Sequence, residues 1–193
     1  MKRGVLIAII IFAVLATDFL SLLAFQSTAF QDKLYQTEEQ INTIEFLKDN
    51  EPLEVNYSEN EISHLEDVKS LMTKMNYYFI GVTVLIILSL LYIYKQDKKQ
   101  IYKAFLYGGI VSFAVLMAIL LWIIIDFTSI FDIFHKLLFQ DGTYTFGPDE
   151  ILPKIFPVSF FFNISKEIFT KTVISSAIFI ALGFALKKKR KKK

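Results

Sequence analysis

The chain has 193 residues, 54% of them hydrophobic and 16% aromatic, and a formal net charge of only +2. Its mean hydropathy of +0.46 is too high for an ordinary soluble domain. With no cysteine anywhere, disulfides, a Cys nucleophile, a thiolate metal site and a lipidated Cys are all excluded.

A helix needs about 20 mostly apolar residues to cross the hydrocarbon. Four stretches qualify in chain order: Gly4–Phe25, Tyr77–Tyr94, Ile101–Ile125 and Ile168–Leu186. The second is short, with Asn76 and Tyr94 placed for the interfaces. Basic residues favour short cytoplasmic segments. Lys2 and Arg3 precede the first span, Lys95, Lys98, Lys99 and Lys103 crowd the turn between the second and third, and 187–193 is an unbroken basic tail. Of the 19 acidic residues only Asp97 lies among them. All three segments agree on both termini inside, N-in/C-in. The first span exceeds a signal peptide's usual apolar stretch of roughly 7–15 residues, so it is expected to remain as an anchor. The tail reads as a topological stop on anionic lipid rather than a nucleic-acid site. The expected fold is an all-α membrane protein, a single domain of four transmembrane helices with an extracellular cap. Two outer loops, 26–76 and 126–167, make up that cap.

In the first outer loop, Leu34, Ile41, Ile44 and Leu47 follow a mostly helical spacing, which Glu51-Pro52 interrupts. Val55–Tyr57 reads as a short extended piece. Ser58 with Glu61 three residues on forms a capping-box pattern. The helix begun there carries Ile62, Leu65, Val68, Leu71, Met72 and Met75 on one side and is expected to run on into the second span. His64 and Asp67 lie on adjacent turns of it, so that Asp67 is placed to accept from one imidazole nitrogen and fix the tautomer. Alone, that pair reads as solvated helix surface.

Phe127, Phe131, Phe134, Phe139, Tyr144, Phe146, Phe156, Phe160, Phe161 and Phe162 crowd the second outer loop. The spacing from Ile130 to Leu138 predicts a helix near the interface, with His135 on it. Asp141-Gly142 marks a tight turn, and Phe156–Phe162 reads as a re-entrant or interfacial piece. Asp18 and Asp126 sit at outer ends of apolar spans. Asp126 is expected to be interfacial, whereas Asp18 is deeper and is a candidate substrate contact.

His64 and His135 are the only two histidines, and the charge pattern puts both on the outer side. There is no Gly-rich phosphate loop, His-Glu-x-x-His helix or Gly-x-Ser-x-Gly elbow. A zinc site using both histidines would need carboxylates such as Asp67, and no ligand-spacing motif supports one; no metal or cofactor is expected. General acid–base chemistry by two imidazoles in an aromatic pocket remains, suited to acyl transfer within one lipid-bearing molecule.

At Tyr57–Val68 and Phe134–Pro148 the chain resembles the lipoprotein intramolecular transacylases, bacterial membrane proteins long catalogued as a domain of unknown function. Ile151–Phe161 is similar to that family's Leu/Phe-Pro-x-x-Phe-Phe ending, and the four-span topology fits over the full length. The resemblance implies that an acyl chain moves from the sn-2 glyceryl ester to the α-amino group of the N-terminal cysteine of a diacylglyceryl lipoprotein. The product is a lyso-form lipoprotein, and the site opens to the outer leaflet of the bacterial plasma membrane. It maps the catalytic pair onto His64 and His135. One deprotonates the amine; the other assists the tetrahedral intermediate and protonates the leaving oxygen. With Asp67 to orient it, His64 is the expected base; Tyr57 and Tyr144 are candidate donors or pocket walls, and Phe139 matches the pattern. The chain departs from the family at Asp141–Tyr144, at Gly147-Pro148 and at Val158. Two other readings stand beside this one: a non-enzymatic membrane adaptor with an acidic cap, and a metal-dependent membrane hydrolase.

Overall fold

The computed structural model describes residues 2–140 and 142–191. Among them all regular structure is helical: α1 (Arg3–Ala29), α2 (Glu38–Leu47), α3 (Glu59–Asp97), α4 (Ile101–Ile125), α5 (Phe127–Leu138), α6 (Leu152–Ile155) and α7 (Val158–Lys191). Asp141 of the expected turn and the last two lysines of the basic tail lie outside the described residues. Its neighbour Gly142 has φ +93, a left-handed conformation that a residue with a Cβ adopts only under strain.

Three helical stretches are long and apolar enough to cross a membrane: Arg3–Ala29, Glu59–Ile125 and Val158–Lys189. The second comprises α3 and α4. They part at Asp97, where the backbone leaves helical geometry and the carboxylate accepts from Lys99 N at 3.1 Å. The chain divides into two compact units, one of residues 1–25, 77–121 and 167–193, the other of 26–76 and 122–166.

In the first unit α1, α3, α4 and α7 meet around Ile9, Phe12, Ile86, Ile93 and Ala104, with Phe179 against them. Helix directions follow from paired contacts. Phe19 stacks on Phe79 at 5.9 Å and Lys2 Nζ donates to Gln96 at 3.2 Å, so α1 and α3 are antiparallel. Phe12 meets Phe105 at 5.5 Å and the Thr17 and Ser112 hydroxyls lie 3.1 Å apart, so α1 and α4 are parallel. At Gly109 a Cβ would come within 2.7 Å of Ile180 N, and at Gly183 within 2.8 Å of the Leu106 backbone, which makes α4 and α7 antiparallel. Small residues give such close approaches where lipid supplies no hydrophobic drive between helices. The outward faces stay apolar; Ile7, Ile10 and Val14 are more than half exposed.

The second unit is built from short helices with explicit caps. Thr37 caps α2 by accepting from Gln40 N at 3.2 Å, and Asp126 caps α5 by accepting from Ser129 N at 3.0 Å. At the start of α3, Ser58 Oγ accepts from Glu61 N while Glu61 Oε2 accepts from Ser58 N, the reciprocal pair that the sequence pattern predicts. The helix then continues unbroken to Asp97. Its core gathers Tyr35, Ile44, Tyr57, Leu65, Leu152 and Phe156.

The segment Phe156–Phe162, read from sequence as a re-entrant or interfacial piece leading to the fourth span, joins two helices. α6 ends at Ile155, and α7 begins at Val158 with Phe160–Phe162 in its first turns. Pro157 explains the break. It has no N–H to continue α6, yet it tolerates the position just ahead of a new helix, where its carbonyl accepts from Phe160 N at 2.8 Å.

Candidate active site

The chain's two imidazoles come together in the second unit. Their ring centroids are 6.2 Å apart with 21° between planes. His64 arrives on α3, six residues after its cap residue Ser58, and is only 6% exposed. His135 arrives from the last turn of α5. Aromatic rings enclose the pair. Phe139 lies 4.9 Å from His64 and 5.6 Å from His135; Phe146 stands edge-on to His64 at 5.4 Å; Tyr144 and Phe131 approach His135 at 5.4 and 4.1 Å.

The two rings differ in wiring. His135 Nδ1 lies 2.7 Å from the Phe131 carbonyl oxygen. A carbonyl only accepts, so Nδ1 carries a proton, and in the neutral form of the ring Nε2 keeps the lone pair. His64 Nδ1, by contrast, is buried and has no hydrogen-bond partner among the described residues. Burial of the ring, then the neighbouring His135, push the His64 pKa down to about 4, and Asp67 offsets this only in part. At neutral pH His64 is therefore uncharged.

Of the other residues singled out in the sequence, Tyr144 and Phe139 join the histidines. Asp67 stays exposed at the helix surface and does not bond His64 Nδ1, so its effect on the ring is coulombic alone. Tyr57 is turned into the core, its hydroxyl 2.8 Å from that of Thr43, with burial raising its pKa. Asp18 belongs to the other unit, where it accepts from Tyr78 at 2.6 Å. Asp126 serves as the α5 cap. Sequence reasoning left two residues among the general aromatic lining that the structure sets against the imidazoles. Phe131 lies four residues before His135, so on a helix its carbonyl is the one a ring nitrogen can reach back to. Phe146 follows a turn and left no periodic signal. Among the described residues no group of three or more His, Asp or Glu is placed to hold a metal ion.

The family model for the lipoprotein intramolecular transacylase Lit matches residues 4–161. The chain is similar in structure to the membrane integral lipoprotein intramolecular transacylase Lit from Bacillus cereus. The two share 21% sequence identity and a TM-score of 0.89, with all of each chain covered. A variant of that protein with one histidine replaced by alanine matches at 20% identity and a TM-score of 0.80, over 98% of this chain and 96% of the other. At these identities the likeness carries the fold. No curated protein sequence matches the chain.

Proposed function

The chain belongs to the lipoprotein intramolecular transacylase family of membrane acyltransferases, and on that premise we propose how its two imidazoles share the reaction. The substrate is a diacylglyceryl lipoprotein with a free N-terminal cysteine, and it supplies both ester and nucleophile. The α-amine attacks the sn-2 ester carbonyl, an N–C bond forms, and the carbonyl oxygen becomes an oxyanion. His135 Nε2, whose lone pair is left open by the Phe131 carbonyl on Nδ1, takes the proton from nitrogen. As the C–O bond breaks it returns that proton to the glyceryl oxygen. The product is an amide and a free sn-2 hydroxyl, with no change in total mass.

His64 plays the complementary part. A buried N–H with nothing to accept it costs more than a buried lone pair, so the orphaned Nδ1 favours the tautomer with hydrogen on Nε2. A neutral imidazole in a desolvated ring box donates to the developing oxyanion while holding no charge of its own in the ground state. This reverses the roles expected from sequence, where Asp67 favoured His64 as the base. The observation that carries the reading is the stacked pair itself, the chain's only imidazoles brought to 6.2 Å in one aromatic enclosure.

The chain crosses the membrane four times, through α1, α3, α4 and α7, with both termini inside and the histidines facing the outer leaflet. The two antiparallel pairs support four crossings. Lys2, Lys95, Lys98, Lys99, Lys103 and Lys187–Lys189 support the orientation, because all occur at one end of the helical unit. The 67-residue stretch Glu59–Ile125 is far longer than the ~20 residues of one crossing and is interrupted at Asp97.

The test is expression in a bacterium without N-acylating activity, followed by mass spectrometry of a model lipoprotein. An acyl chain found on the cysteine nitrogen at unchanged total mass supports the reading. Unchanged chain positions with well-expressed protein sink it.

A further inference from the structure

Glu61 is among the most deeply buried side chains of the molecule, 1% exposed, and among the described residues it has no ion-pair partner. An unpaired carboxylate in such a place is costly unless hydrogen bonds replace its water. Three backbone donors do so. Oε2 accepts from Ser58 N at 2.8 Å, at the head of α3. Oε1 accepts from Ile151 N at 2.6 Å and from Leu152 N at 2.5 Å, at the head of α6. The capping box explains only the first of these. The other two fasten the strand of chain that follows Phe146 onto the helix that carries His64, which lies three residues after Glu61 and hence on the next turn of α3.

We propose that Glu61 is a positioning residue for the transacylation: its carboxylate clamps the heads of α3 and α6 together and so sets the place of His64 against Phe146 and His135. This rests on the reading that the two imidazoles carry the reaction. Charge is not the means, because Asp67 and His135, not Glu61, are the charged or titrating groups that act on the His64 ring. The means is geometric. One carboxylate satisfies three N–H groups drawn from two segments some 90 residues apart in sequence. A glutamine at this position keeps the shape but offers only one acceptor oxygen, and its NH₂ would face at least one of those donors. A second, half-buried contact lies beside the clamp, where Ser58 Oγ and Asn60 donate to Glu150 Oε1 at 2.8 and 3.1 Å and Gly147 N donates to Oε2. It serves as the control, since Glu150 is far less buried than Glu61 and water can replace more of its bonds.

The experiment uses the full-length protein in lipid or detergent, with ¹³C,¹⁵N-labelled histidine. Two imidazole signals are expected, assigned by the single histidine variants. In E61Q the His64 titration should move up by about one unit as the enclosure loosens. In the same variant kcat for acyl transfer should fall roughly 10–100-fold with KM nearly constant, as expected when reacting groups are displaced by about an ångström. E150Q should stay within about twofold of wild type in both. E61D, which keeps the charge but withdraws it by one methylene, should fall between wild type and E61Q. Should E61Q not fold, E61D carries the same two readouts. Folded E61Q with wild-type kcat, or with reduced kcat and an unmoved His64 titration, overturns the proposal. Failure of the wild-type protein to move the acyl chain, or full activity in H64A, would instead remove the reading on which the clamp rests.

Discussion

In the helical unit two close approaches between helices are backbone to backbone, at Gly109 and Gly183, where a Cβ would meet the neighbouring main chain. In the other unit they are ring to ring around His64 and His135, fastened by a buried carboxylate and side-chain caps. The first arrangement suits a medium without water, where helices associate by close packing of small residues and every backbone group is bonded within its own helix. The second suits a segment that must hold polar groups in fixed places beside apolar ones. Buried hydroxyls occur in the first unit as well, at Thr172, Ser112 and Ser176. There Thr172 and Ser176 bond to carbonyls of their own helix and Ser112 pairs with the Thr17 hydroxyl of α1, and nothing titratable is among them. The proposed site lies in the second unit, where buried ionisable side chains, His64 and Glu61, are held.

The comparison breaks most sharply at the imidazoles. H64A and H135A should each lower acyl transfer by about 10²–10⁴-fold, and the double variant should lose little more than the worse single one, because the pair acts as a unit. Full activity in either, measured by mass spectrometry of the lipoprotein, removes that residue from the reaction. Next comes a change confined to the helical unit. Valine at position 109 (G109V) must displace the Ile180 backbone, and overpacking of this kind costs about 1–3 kcal/mol, read as a lower midpoint of thermal unfolding in detergent.

A pH effect of similar size belongs to the other unit. His64 has an ordinary pKa of 6.5 in the unfolded chain and about 4 when folded. Above that window neither state binds the proton. As pH falls through it the unfolded chain takes a proton the folded one refuses, so stability should decline, by about 2 kcal/mol near pH 4 after allowance for solvent screening. H64Q should flatten this slope in unfolding measured from pH 7 to 4. The smallest effect is expected at Asp67. D67N should change activity by no more than about threefold, since an exposed carboxylate acting only through charge contributes little. A loss of 100-fold would restore the orienting role that the sequence offered it.

Much of this architecture was legible beforehand. Apolar length marked the helices, and the Ser58–Glu61 pattern located the start of α3 to the residue. The aromatic crowding around His135 announced its surroundings. What the sequence concealed depends on contacts between segments far apart in the chain. Helical spacing put Asp67 on the same face as His64, but spacing cannot say which side of a face turns inward; His64 and Leu65 went in and Asp67 stayed out. Tyr57 was drawn into the core by Thr43 of α2. Glu61 read as a cap and nothing more, because Ile151 and Leu152 offer it only backbone, which carries no residue-type signal. In Phe156–Phe162 the sequence marked a break at Pro157 but not that one helix ends and the next begins there.

The shell of Phe131, Phe139, Tyr144 and Phe146 around the imidazoles has one more consequence. An ester activated beside a general base is open to any nucleophile, and water is the most abundant rival to an amine. Transfer within one molecule, with no acyl-enzyme to wait for a partner, leaves a rival only the lifetime of the bound substrate. Phenylalanine rings offer a solvent molecule few hydrogen bonds and so disfavour it in that interval. If the reaction proceeds as proposed, the same shell that lowers the His64 pKa also bears on two fates for the lipid: a chain moved along the lipoprotein, or a fatty acid lost from it.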